Sequence, residues 1–215
     1  MPFGYIGQNQ TKQKVKNTGV LSSFDISLLE KQGHASGSLE LIAEQTTSGA
    51  VSYNFTSIQE ATYDVHLLQI SGLTVPSGSQ SWGIRLYESG VLETASVYHY
   101  AYQEIGVTGG TAENKSTGES YIKINNTGSE QWVANIYIYF YNLGNSSKYS
   151  FCSFQGMPRR NTSGGSYNDA GTYMRFGGGV LPQASVVDGI QIYNSATTST
   201  GGTAKLYGVK QIWVT

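Results

Sequence analysis

The side chains with catalytic potential in this 215-residue chain are three histidines, one cysteine and fourteen scattered carboxylates, and their spacing assembles no reaction centre. A serine nucleophile on a strand-to-helix elbow needs Gly-x-Ser-x-Gly. Gly33-His34-Ala35-Ser36-Gly37 places its serine one position late and follows a predicted helix. A phosphate-cradling loop needs Lys-Ser or Lys-Thr behind its glycines. Gly177-Gly178-Gly179 instead runs into Val180-Leu181-Pro182 and reads as a turn. No His-x-His, His-x3-His or Asp-x-Asp cluster offers a divalent metal its ligands, which leaves Asn168, Asp169 and Asp188 as isolated oxygen donors for a loop calcium ion. Glycoside hydrolysis needs two carboxylates at a set separation, for which Glu88, Glu93, Glu104, Glu113 and Glu119 qualify only by existing, and each reads as a solvated surface residue. Cys152 sits in the alternating stretch Tyr149-Ser150-Phe151-Cys152-Ser153-Phe154, the setting of an inert core thiol. The expectation is a protein that is not an enzyme and holds no cofactor or metal.

Recognition chemistry is better represented. Exposed aromatic rings stack on the apolar faces of sugars, and Tyr98, His99, Tyr100 and Tyr102 fall in one predicted strand. With Tyr167 and Tyr173 around the longest predicted loop, and Arg159 and Arg160 within it, they make a candidate platform for a surface glycan. Tyrosine ladders are equally good material for cross-strand packing and subunit interfaces. Thirteen Lys and Arg against fourteen Asp and Glu give a net charge of -1, so there is no basic field to hold nucleic acid or an anionic membrane. Neutral surfaces rich in Ser, Thr, Asn and Gly can instead lie against another protein without desolvating many charges. Residues Met1 to Lys16 show no apolar run of the kind a secretory signal carries, and no stretch reaches membrane-spanning length.

The elements that must position these residues read as strands. Twenty-seven Gly and sixteen Tyr suit many tight turns and aromatic, half-buried pleats. Strands are predicted near 51–58, 63–70, 82–88, 95–103, 119–124, 132–141, 148–155, 172–176, 186–193 and 203–213. The clearest alternation is in 132–141, with Ala134, Ile136, Ile138 and Phe140 on a core face and Tyr137, Tyr139 and Tyr141 on the other. Loops fall near 74–81, 106–118, 125–131, 156–171 and 194–202. His66 reads as a partly buried, hydrogen-bonded structural histidine. Before the strands, residues 1–45 form a polar arm. Ser22 with Asp25 marks a helix start and Gly33 a stop, which predicts a short helix whose Phe24, Ile26, Leu28 and Leu29 need a surface to pack on, either the chain's own strand domain or, as a docking element, a neighbouring subunit. Residues 46–215 then make one domain.

Several phrases occur in an order that resembles a family of small virion proteins of tailed bacteriophages, especially marine ones. They include Phe3-Gly4-Tyr5-Ile6-Gly7, Leu39-Glu40-Leu41-Ile42, Phe55-Thr56-Ser57-Ile58, the segment Tyr63 to Ile70, Arg85 to Ser96, Gly179 to Ala184, and the closing Leu206-Tyr207-Gly208-Val209-Lys210. The resemblance implies an all-β, jelly-roll-like antiparallel β-sandwich with an N-terminal arm carrying a short helix. It implies a structural role in the virion, as a non-enzymatic subunit of a tail fibre, baseplate or capsid decoration that works by assembly with other virion proteins. A homo-oligomer, most simply a trimer, follows from the resemblance and the neutral surface. The alternative function is a module on a tail appendage that binds a host-receptor glycan.

Overall fold

A computed structural model of the chain describes residues 38–46, 49, 52–75, 81–107, 109–124, 131–161, 167–195 and 201–210, with the side chains of 75, 131–133, 159–161 and 167–171 left aside. The expected helix with Phe24, Ile26, Leu28 and Leu29 lies outside the described residues. The chain divides into two units, Met1–Glu40 and Leu41–Thr215.

Every regular element among the described residues is a strand: β1 Leu39–Thr46, β2 Ser52–Phe55, β3 Val65–Val75, β4 Trp82–Glu88, β5 Val91–Leu92, β6 Tyr98–Gly106 and β7 Thr111–Glu119 in the first part. They are followed by β8 Ile122–Lys123, β9 Gln131–Tyr141, β10 Tyr149–Asn161, β11 Tyr167–Ala184, β12 Val187–Asn194 and β13 Gly201–Val209. An eight-stranded sheet has the order β1-β13-β3-β9-β10-β11-β6-β7, and a five-stranded sheet the order β2-β12-β4-β5 with β8 also on β4. Four pairings nest within one another: β1 with β13, β2 with β12, β3 with β9, and β4 with β8. The lateral pairs β13–β3 and β12–β4 join these into two sheets, both antiparallel. The pairs β6–β7 and β10–β11 are insertions that widen the longer sheet beyond β9.

Alternation along the strands decides what fills the middle. Leu68, Ile70, Ile138, Phe140 and Leu206 of the longer sheet join Tyr53, Trp82, Ile84, Ile190 and Ile192 of the shorter one in a single buried cluster, each at most 1% exposed. Burying one such aliphatic or aromatic side chain stabilises the fold by about 1.5–3 kcal/mol, so this shared core is what holds the two sheets together. His66 points into it from β3. Its Nε2–H donates to the Ile58 carbonyl at 2.7 Å, the Tyr63 ring meets it edge-on at 6.0 Å, and burial lowers its pKa below the ordinary histidine value.

Each of the ten predicted strands overlaps an observed one, but three strands were hidden. β5 is two residues long, closed onto β4 by Ser89 and Gly90 with φ of 52° and 76°, the positive values that a two-residue hairpin turn needs. β1 falls within the segment expected to be an arm, and β7 replaces the loop expected at 106–118. Thr-Ala-Glu-Asn-Lys-Ser-Thr-Gly-Glu carries no apolar alternation, because β7 lies at the sheet's edge and stays largely in solvent on both faces. The expected long loop at 156–171 is also mostly strand, since β10 continues to Asn161 and β11 begins at Tyr167.

Gly177-Gly178-Gly179 is not a turn but the middle of β11, held between β10 and β6. A Cβ on Gly177 would run into the Ala101 carbonyl and the Tyr102 Cβ; one on Gly179 would lie 2.5 Å from a methyl of Ile122. Bare backbone at these positions is what lets the β6 tyrosines and Ile122 close over β11.

Candidate functional site

Strand pairing lays out the outer face of the longer sheet as rows of side chains. One row reads Val65, Tyr141, Phe151, Val180, His99 across β3, β9, β10, β11 and β6. The next reads Leu67, Tyr139, Ser153, Gly178, Ala101, and the one after that Gln69, Tyr137, Gln155, Phe176, Gln103. None of these positions is charged. The surface of a soluble domain ordinarily carries Lys, Arg, Asp or Glu at about a quarter to a third of its positions. Here charges stand at the two flanks, where Lys205 of β13 pairs with Glu44 of β1 at 3.4 Å and Lys115 with Glu113 on β7 at 3.8 Å.

Uncharged in these rows, the face is also apolar. Ile105, Tyr137, Tyr141, Phe151, Met157, Met174 and Phe176 are each 37–55% exposed. With about 200 Å² per large side chain, these seven alone present on the order of 600 Å², the upper end of what a monomer leaves open in one patch. Its tyrosines are held in place. The Tyr137 hydroxyl donates to Gln155 Oε1 at 2.5 Å, Tyr141 shares a hydrogen bond with Ser153 Oγ at 3.3 Å, and the Tyr137 and Tyr139 rings meet edge to face at 6.2 Å. Side chains already fixed lose less entropy when a partner arrives. The alternation predicted for β9 is observed, with Ala134, Ile136, Ile138 and Phe140 buried beneath and Tyr137 and Tyr141 exposed above.

The expected glycan platform on β6 is reversed. Tyr98, Tyr100 and Tyr102 are 0%, 7% and 5% exposed and belong to the core. Their rings cover the space that Gly177 and Gly179 leave open on the neighbouring strand, with Tyr100 and Tyr102 stacked at 6.1 Å and Tyr102 against Phe154 at 6.2 Å. The Tyr98 hydroxyl accepts from Leu86 N–H at 2.9 Å and donates to the Glu93 carbonyl at 3.2 Å, while that of Tyr100 donates to Asn114 Oδ1 at 2.8 Å. Burial raises the pKa of all three. Tyr173 packs against the same core, 5.8 Å from the Arg175 guanidinium. Arg159, Arg160 and Tyr167 take part in strand pairing, and their side chains lie outside the described residues.

Two further side chains differ from expectation or meet it with a cause. Glu104 is no solvated surface carboxylate: it is 17% exposed and pairs with Arg175, which is 3% exposed, directly across the β6–β11 register. Cys152 is buried, and desolvation pushes its thiol up to about 12, so it stays protonated at neutral pH. Among the described residues no group of three or more His, Cys, Asp or Glu is placed to hold a metal ion. No described helix is long and apolar enough to cross a membrane.

No protein-family model matches the chain, and no curated protein does. Among solved structures the chain is similar to the CBM2 module of the evolved Dit of Lactobacillus casei phage J-1 (host strain BL23). The identity is 7%, over 75% of this chain and 70% of that one, with a TM-score of 0.18, too low to bear on fold or function.

Proposed function

We propose that this chain is a non-enzymatic structural subunit of a phage particle, a jelly-roll protein that acts by assembly with copies of itself and with other virion proteins. The jelly-roll reading rests on the nested pairs β1–β13, β2–β12, β3–β9 and β4–β8, which are one long hairpin of four strand pairs rolled into two sheets. The phage assignment rests on the sequence resemblance. The observation that carries the assembly reading is the uncharged aromatic face of the longer sheet.

A second copy is the partner this face fits. The three rows bring no charge that must be desolvated from either side, so like can meet like. The exposed apolar area, enlarged by the half-buried Val65, Leu67, Tyr139, Val180 and Tyr207 around it, approaches the roughly 800 Å² per partner of a stable interface. The trimer is the form the resemblance implies, and it closes around a three-fold axis when each copy buries one part of this broad face against a different part of the next copy's. Antibody raised against the chain should decorate purified particles at regular positions. Particles free of label, together with a monomer at high concentration in light scattering, would overturn the reading.

A further inference from the structure

The opposite surface of the molecule, the outer face of the five-stranded sheet, has different chemistry. One row across β2, β12 and β4 reads Asn54, Gln191, Arg85, and the row beside it reads Ser52, Tyr193, Gly83, continuing to Lys123 of β8. These rows carry two cations and no carboxylate. We propose that this face binds a carboxylated pyranose, the acidic sugar unit of a polysaccharide, with Arg85 as the carboxylate anchor. The inference goes beyond the assembly reading and does not depend on it.

Arg85 is built for this role. Its guanidinium lies over the Tyr193 ring at 3.7 Å, with Tyr121 at 5.9 Å, and its Nε–H donates to the Ser120 carbonyl at 3.0 Å. Both Nη groups lack a hydrogen-bond or ion-pair partner among the described residues, which leaves the outer N–H edge of the guanidinium open. That edge is the fork that grips a carboxylate through two parallel hydrogen bonds. The stacking also fixes the long side chain beforehand, so little rotamer freedom is lost on binding.

The surroundings suit the rest of a sugar. Two tyrosines lie against bare backbone: a Cβ on Gly83 would run into the Tyr121 ring, and one on Gly189 would come within 2.9 Å of the Tyr87 ring. Rings laid down in this way offer flat apolar surface to the C–H face of a pyranose. Polar groups are wired between them. Asn54 Oδ1 accepts from both the Tyr87 hydroxyl at 3.0 Å and Gln191 Nε2 at 2.8 Å, while Asn54 Nδ2 donates to Ser52 Oγ at 3.2 Å. Gln45 of β1 clamps the Asn54 backbone at both its N–H and its carbonyl. Gln191 is 8% exposed, and its carbonyl oxygen makes no hydrogen bond. It is an acceptor at the centre of the rows that a ligand hydroxyl satisfies once the neighbouring side chains part.

The test uses the full chain, with the methyl glycosides of glucuronic acid, galacturonic acid and N-acetylneuraminic acid, the neutral methyl glucoside and galactoside, and a uronate-containing polysaccharide. Binding is read by titration calorimetry and by saturation-transfer NMR. Saturable binding of an acidic member is expected, at least about tenfold tighter than its neutral counterpart and lost by about tenfold or more in Arg85→Lys, which keeps the charge but not the fork. Binding by the polymer but not the monosaccharides, abolished in the same variant, would support an extended chain as ligand. Arg85→Lys should leave the oligomer mass unchanged, which separates this result from assembly; should it unfold, Tyr193→Ala is expected to show the same loss. Equal binding of neutral and acidic sugars, binding indifferent to both substitutions, or no binding at millimolar ligand would overturn the proposal.

Discussion

Single side chains set the pH range and the tolerance of this fold. His66 is buried with its Nε2–H committed to the Ile58 carbonyl, and desolvation lowers its pKa. In the folded protein it therefore binds its proton at lower pH than in the unfolded chain, whose histidine titrates near 6.5. Between those two values the unfolded state holds more protons, so stability is complete above about pH 6.5 and falls as the pH drops below it. Urea midpoints measured from about pH 8 to pH 5 should decline over the acidic half, and a His66→Asn variant should lose that part of the slope. A flat profile for the parent chain would contradict the burial. Tyr98 makes a second residue-scale prediction. Its hydroxyl satisfies the buried Leu86 N–H, so Tyr98→Phe leaves that donor unmade and should cost about 1–3 kcal/mol in denaturant unfolding without altering the fold.

At the scale of elements, the close approach of β6, β10 and β11 depends on backbone without side chains. Gly177→Ala drives a methyl into the Ala101 carbonyl and the Tyr102 backbone, neither of which can turn aside. A loss of about 1–3 kcal/mol is expected, the cost of overpacking, and circular dichroism melting would show it as a clear drop in midpoint. The same strands mark what the sequence makes legible. Ten strands declare themselves because their apolar residues alternate. β7 does not, since an edge strand wet on both faces has no reason to alternate, and Gly177-Gly178-Gly179 looks like a turn because local sequence cannot show that Tyr100 and Tyr102 lie across from it. Alternation in β6 separates Tyr98, Tyr100 and Tyr102 from His99, Ala101 and Gln103, but it does not say which set faces inward. The larger set does, because the glycines of β11 leave it room.

Over the whole molecule, the two outer faces divide by chemistry: neutral and aromatic on the longer sheet, cationic and hydrogen-bonding on the shorter. The first was half legible. The tyrosine ladder of β9 is plain in the sequence, but its continuation through Phe151, Met157, Phe176 and Ile105 needs the register of β10, β11 and β6. The second was not legible at all, because Arg85, Tyr121, Gln191 and Asn54 are far apart in sequence and meet only through β-pairing. Assembly through the neutral face is best tested by light scattering coupled to size-exclusion chromatography, comparing the parent chain with a Tyr137→Glu, Phe151→Glu double variant. Both side chains point away from the core, so the variant should melt close to the parent. The expected result is three chain masses for the parent and one for the variant; a parent that elutes as a monomer at high concentration, or a variant that keeps the parent's mass, would contradict burial of this face between copies.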